Sequence, residues 1–182
     1  MLNKQFQKTE YAIFIAYCKF RDYPTTKRIA KHAKISRSTL YRHHQSTQKI
    51  LHDYEELIIA AFSNIAKQLI DKQATEKNLF LHTLVFIVNH KEVFQALFSD
   101  GRKEVIKSML GTLKPALIKR WNTTGGIDKV YNVYENEILG IIESWSKHQF
   151  SKSQLEKVLN DIINLTNTAP TRLPSIIGEK PL

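Results

Sequence analysis

The sequence predicts an all-helical protein of two parts, and three observations lead there. Apolar residues recur at three- and four-residue spacing along most of the 182 residues, and no stretch shows strand-like alternation. Six glycines and five prolines leave few interior breaks, and a hydrophobic content of 42% suits a globular chain rather than a disordered one. The stretch 25–44, TTKRIAKHAKISRSTLYRHH, divides into two short helical patterns around a tight turn.

Residues 5–21 read as the first helix, with Tyr11, Phe14, Ile15 and Cys18 on one face. Pro24 ends that segment. Thr25 is an N-cap for a second helix whose apolar face is Ile29, Ala30 and Ala33. Lys34 and Ile35 make the turn, and Ser36 caps a third helix. Leu40 points inward there, with Arg37, Ser38, Thr39, Tyr41, Arg42 and His43 around it on the outward faces. A fourth helix starts near Ser46 and runs to about Lys72 on the stripe Ile50, Leu51, Tyr54, Leu57, Ile58, Ala61, Phe62, Ile65 and Leu69. It holds no glycine or proline, so it connects the first part to the second without a break.

After a polar break at 71–77, residues 78–90 are apolar nearly all round and read as a buried fifth helix. A sixth helix ends at Gly101, and a seventh over 102–121 contains Pro115, which should kink it. NTTGG, 122–126, is a loop. The eighth helix carries Val130, Tyr131, Tyr134, Ile138, Ile141, Ile142 and Trp145; the ninth carries Leu155, Val158, Leu159, Ile162 and Ile163. The expected division is a helix-turn-helix domain at 1–45, a helical regulatory and dimerisation domain at 46–167, and an extended or disordered tail at 168–182.

The net charge of +10 is local. Through Ile50 there are eleven basic residues against two acidic ones, and beyond it sixteen against fifteen. A solubility charge would be spread along the chain, whereas a footprint for a polyanion sits in one place. An anionic membrane surface is a weaker match, because membrane helices set Leu, Phe or Trp opposite their charges and the third helix sets hydroxyls there. Small residues near its start let the backbone approach a groove floor, Arg37 matches guanine O6 and N7, and Tyr41, Arg42 and His43 reach phosphates. The alternative is a plain helical hairpin with a solvated basic face.

TTKRIAKHAKISRSTLYRHHQSTQKIL resembles the DNA-binding signature of the TetR family of regulators. Thr25 opens the second helix, Ile29, Ala30 and Ala33 match its packing face, Ile35 and Ser36 match the turn, and Leu40, Tyr41, Arg42 and His43 match the end of the recognition helix. Three positions depart. The turn glycine is Lys34, which is left to adopt a left-handed conformation. The phenylalanine after the histidine is His44, which weakens the local core. The lysine opening the fourth helix is Thr47, with Lys49 near enough to substitute. The resemblance implies DNA contacts from Thr25, Thr26, Lys27, Ser36, Arg37, Ser38, Thr39, Tyr41, Arg42, His43, Thr47 and Lys49. It implies a dimeric transcriptional repressor on a pseudo-palindromic double-stranded operator, released by a small apolar or aromatic effector. A co-activator or protein-interaction module of the same fold, without an effector, is the alternative.

In that family the last two helices meet their twofold mates as a four-helix bundle. Val133, Gly140 and Ser144 form a small-residue strip that suits such a seam, beside Ile138, Ile141, Trp145, Leu155, Leu159 and Ile162. The alternative is that both stripes pack inside one chain. Phe80, Phe86, Phe94, Phe98, Trp121, Tyr131 and Tyr134 are candidates to line an effector cavity, with His82, His90 or Asn89 as polar groups; packing is the competing role. No metal-ligand spacing, nucleophile motif or phosphate loop is present, so no cofactor is expected and an enzyme is unsupported. The single Cys18 suits a reducing compartment and a buried packing role. With no apolar run of membrane-spanning length and no secretory leader, a cytoplasmic protein is expected.

Overall fold

In the computed structural model, residues 4–20, 24–99, 101–121 and 127–167 are described. They form nine α-helices and no strand: α1 Lys4–Cys18, α2 Thr26–His32, α3 Arg37–His43, α4 Thr47–Asp71, α5 Glu76–Asn89, α6 Lys91–Ser99, α7 Glu104–Trp121, α8 Ile127–Ser146 and α9 Leu155–Asn167. The chain divides into two compact units, Met1–Ala60 and Ala61–Leu182. That boundary falls inside α4, because the first turns of α4 supply Ile50 to the core of the first unit.

The first unit is a three-helix core. α1 packs on α2 and α2 on α3, around Ile13, Ala16, Ile29, Ala30, Leu40 and Ile50. Phe14 stacks on Tyr54 with ring centroids 3.9 Å apart. The buried face of α1 is Glu10, Ile13, Phe14 and Ala16, and Tyr11 is 41% exposed, so the expected stripe of Tyr11, Phe14, Ile15 and Cys18 is out of phase. Two faces of α1 satisfy helical spacing, and the one that is buried contains a glutamate. Thr25 caps α2 by accepting from the Arg28 amide at 3.4 Å, and Ser36 caps α3 by accepting from the Thr39 amide at 3.0 Å. Between them Lys34 sits at φ 57°, where a glycine is usual, and the Ile35 amide bonds to the Ala30 carbonyl at 3.0 Å.

In the second unit α5 packs on α9, and α8 packs on α6, α7 and α9. α5 buries Leu79, Phe80, Thr83, Leu84, Phe86 and Ile87 but exposes His82, Val85 and Asn89, so it is central without being enclosed. α4 buries Phe62 as expected, and Ala66 beside it, while Ala61 and, earlier in the helix, Leu57 of the expected stripe are exposed. α7 continues through Pro115, whose ring lies on an exposed face. α8 stops at Ser146, and Gln149 and Phe150 at φ 54° and 50° turn the chain toward a 3-10 turn, Lys152–Gln154, ahead of α9. That turn drives Phe150 inward, 5.3 Å from Trp145 and 5.6 Å from Phe98, and Trp145 Nε1 donates to the Ser151 carbonyl at 3.0 Å. The 122–126 loop and the 168–182 tail lie outside the described residues.

A side chain with a Cβ pays for the left-handed backbone at Lys34 in the native state, whereas glycine does so only through unfolded-state entropy. Lys34→Gly is expected to stabilise the chain by about 0.5–1 kcal/mol in urea unfolding, and Lys34→Val to destabilise it.

Candidate nucleic-acid interface

α2 and α3 carry the basic excess on open faces. Lys27, Arg28, Lys31 and Lys34 are exposed along α2 and its turn, and Arg37 and Arg42 are exposed on α3. The Arg28 guanidinium lies over the Phe20 ring at 4.2 Å, which fixes its direction. Hydroxyls organise the start of α3. Ser36 Oγ is 2.7 Å from Ser38 Oγ and 2.9 Å from Thr39 Oγ1, so the cap and the first turn share one hydrogen-bonded cluster. Tyr41 is 54% exposed, and its hydroxyl donates to Thr26 Oγ1 at 3.5 Å, bridging the open faces of α2 and α3. Thr25 and Ser38 are exposed and Thr26, Thr39 and Thr47 half-buried; Lys49 is exposed with Nζ 3.7 Å from Asp53 Oδ1.

This face has the chemistry for a polyanion with a readable groove. Flexible cations flank a helix whose leading residues are short hydroxyls and one forked arginine, and little side-chain bulk separates the α3 backbone from a partner. His43 differs from its expected phosphate role. Its side chain is 6% exposed and its Nδ1 lies 2.5 Å from Glu10 Oε1, so the ring is turned into the unit. His44, expected to weaken the core, is buried with both ring nitrogens against carboxylates: Nε2 is 2.9 Å from Glu10 Oε2 and Nδ1 is 3.0 Å from Asp53 Oδ2. Glu10 and Asp53 were not singled out in the sequence, because nothing in spacing shows that residues 33 and 9 positions away from these histidines meet them.

No family model and no curated protein matches the chain. Two solved structures do. FadR from Thermus thermophilus, a TetR-family transcriptional repressor solved with lauroyl-CoA, superposes with a TM-score of 0.56 at 16% identity, over 90% of this chain and 94% of that one. A TetR-family transcriptional regulator from Streptomyces coelicolor gives 0.57 at 14% identity, over 100% of this chain and 92% of that one. The fold is that of TetR-family transcriptional regulators. At this identity the likeness is one of architecture.

The TetR-like body places its candidate residues in two groups. Phe80, Phe86, Phe94, Trp121, Tyr131 and Tyr134 are buried and Phe98 half-buried, while His82 and Asn89 are exposed and face away from any interior cavity. Phe86 touches Phe62, His90 and Phe94 at 5.4, 4.6 and 6.2 Å, which is close packing. Burial holds the His90 imidazole below its ordinary value, so it stands neutral against that ring. Trp121 packs on Tyr134 at 5.4 Å, and its buried Nε1 has no hydrogen-bond partner among the described residues. Of the seam candidates, Ile138, Trp145, Leu159 and Ile162 are buried inside the chain. Val133, Gly140 and Ser144 are exposed, and Ile141 and Leu155 half-buried. Gly140, Ile141 and Ser144 of α8 line a groove of about 550 Å³ with Lys157, Asp161 and Leu165 of α9.

The base-reading and phosphate-holding roles expected from the sequence are separable by measurement. Arg37→Ala and Ser38→Ala are expected to relax preference at one operator position by about 1–3 kcal/mol. Lys27→Ala and Arg42→Ala are expected to weaken all sequences alike and to flatten the salt dependence, by roughly 0.9 log units per log unit of salt for each phosphate lost. Fluorescence anisotropy on operator variants at several salt concentrations tests both, and unchanged preference in the Arg37 and Ser38 variants would move the reader elsewhere.

Proposed function

We propose that this chain is a TetR-like regulator of transcription. It binds a pseudo-palindromic double-stranded operator as a homodimer and represses until a small apolar or aromatic effector releases it. The observation that carries the reading is the open face of α3, where exposed Arg37, Ser38, Tyr41 and Arg42 stand within residues 1–50, the stretch that holds nearly all of the chain's excess positive charge. An enzyme or a plain interaction module has no use for a hydroxyl-capped recognition helix flanked by cations. One such helix spans only a few base pairs, so a genomic address needs two, on half-sites about 34–36 Å apart.

The α8 and α9 groove supports the dimer. A Cβ added at Gly140 would meet nothing within 4 Å among the described residues, so no packing among them requires so small a residue there. Close approach of a second copy accounts for it, with Ile141 as the apolar contact and Val133, 37% exposed, at its edge. For the effector, Trp121 Nε1, beside Tyr131 and Tyr134 and without a hydrogen-bond partner among the described residues, is a polar group that a guest could engage. The lauroyl-CoA bound by the Thermus FadR makes an acyl-CoA the first chemistry to try.

Gly140→Trp and Ile141→Asp are expected to give helical monomers that shift promoter DNA poorly, while wild type sediments as a dimer at micromolar concentration. Wild-type monomers, or variants that stay dimeric, would misplace the seam. Lauroyl-CoA is expected to raise the melting temperature and to dissociate the DNA complex. Trp121→Phe removes an unpaired donor, so its own stability should hold or rise by about 1 kcal/mol while its response to the effector weakens. Equal responses in the two proteins would place the guest away from Trp121.

A further inference from the structure

The end of α3 is fastened by a buried charge cluster that the DNA-reading face does not use. His44 follows the helix in extended backbone, φ −136° and ψ 130°, and its amide closes on the Leu40 carbonyl at 2.9 Å. Its ring lies between Glu10 of α1 and Asp53 of α4, with each nitrogen at about 3 Å from one carboxylate oxygen. An ionised carboxylate only accepts, and a neutral imidazole has one N–H and one lone pair. Neutral His44 therefore sets a lone pair against a carboxylate oxygen on one side, whichever tautomer it takes. Only the imidazolium satisfies both contacts. With the side chains of His44 and Glu10 at 4% and 9% exposure, water has little room to repair the mismatch.

We propose that His44 is a protonation-controlled latch on α3: the imidazolium ties the end of this helix to α1 and α4, and loss of its proton to solvent frees the end of the helix and weakens DNA binding. The latch itself stands on geometry; its effect on DNA rests on the regulator reading above. The other groups facing the cluster are His43, which meets Glu10 from α3, and Lys49, which meets Asp53 from α4. Tyr54 of α4 lies in electrostatic reach of Glu10, with Tyr11 and Cys18 of α1 in reach of Tyr54; burial pushes the Tyr54 phenol far above its usual range, so it adds no charge.

Burial opposes the charge on His44, but its hydrogen bonds to Glu10 and Asp53 outweigh that and raise the imidazole above its ordinary value. Burial likewise works against Glu10, yet hydrogen bonds from His44 and His43 hold its carboxyl below the usual carboxylate range. A raised imidazole contributes stability that is complete below the unfolded value of about 6.5 and lost as pH rises through the folded value. A lowered carboxyl contributes stability present above about 4.5 and lost as pH falls through its folded value. The latch is therefore closed at pH below about 6.5 and opens as pH rises through the folded value of His44, which lies above it.

The test uses the full chain between about pH 6 and pH 9. NMR of the imidazole rings follows His44 and His43 separately, beside the unfolding midpoint and the affinity for operator DNA. In wild type, His44 is expected to titrate above 6.5, the unfolding midpoint to fall through the same interval, and the DNA Kd to rise by about threefold or more. Asp53→Asn, at the more open side of the cluster, should move the ring titration and the stability profile to lower pH. His44→Phe should flatten the wild-type dependence of Kd on pH. A His44 titration at or below 6.5, or a profile that Asp53→Asn does not move, overturns the latch even if the variant at His44 fails to fold. Stability and titration that behave as stated in a protein that shifts no DNA at any pH would leave the latch and remove the regulator; DNA binding with a pH-independent Kd would leave the regulator and remove the latch's effect on it.

Discussion

A helix of seven residues does not hold itself in water. Nucleation fixes several dihedral pairs for one hydrogen bond, and isolated helices below about 12–15 residues are marginal even in favourable sequences. α2 and α3 each have seven residues, so their positions are set by what touches them. For α3 those supports fall at three points: the Ser36 hydroxyl at its start, buried Leu40 in its middle, and His44 at its end. The first satisfies an amide that the helix leaves unpaired, worth about 1 kcal/mol. The second removes an apolar side chain from water, worth about 1.5–3 kcal/mol. The third is electrostatic, and of the three it is the one that pH adjusts.

The first two supports are legible in the sequence and the third is not. Caps are local, because Thr25 and Ser36 act on amides three residues on, and both were placed from residue type alone. Leu40 is the one apolar residue in a polar run, so its inward direction follows. His44 reads as a defect where an aromatic is usual, since its compensation comes from Glu10 on another helix. The same glutamate explains the misread phase of α1. A search for an apolar stripe discards the face that contains a charge, and here that face is the buried one, with the charge answered by two histidines from α3 and its cap.

The body shows the same contrast between local and distant causes. Existence and order of α4 to α9 follow from apolar spacing over long stretches, which averages over errors at single residues. What the spacing leaves open is which of two adjacent stripes on α8 faces inward. Trp145 and Ile138 belong to the inner one, because Phe150 packs edge-on against Trp145 from the turn that follows. Phe150 reaches that place only through left-handed backbone at Gln149 and at its own position, and neither residue is of a type that announces such a turn. The small-residue strip of Gly140 and Ser144 is left outside by that choice.

Charge placement carries a thermodynamic consequence of its own. Cations gathered in one small unit repel one another, so the free unit is less stable than its buried contacts alone would make it, and salt or a polyanion relieves the repulsion. Glu10 and Asp53 lie in this unit and turn inward: Glu10 meets His43 and His44, and Asp53 meets His44 while its other oxygen faces Lys49 at 3.7 Å. Hydrogen bonds to the imidazoles offset the desolvation of these two carboxylates, while the cations on the open face of α2 and α3 stand in water. An anion on that face then stabilises the three-helix unit in addition to binding it, because occupation of the folded form alone draws the folding equilibrium with it. On the regulator reading, the operator helps to hold in place the short helix that reads it.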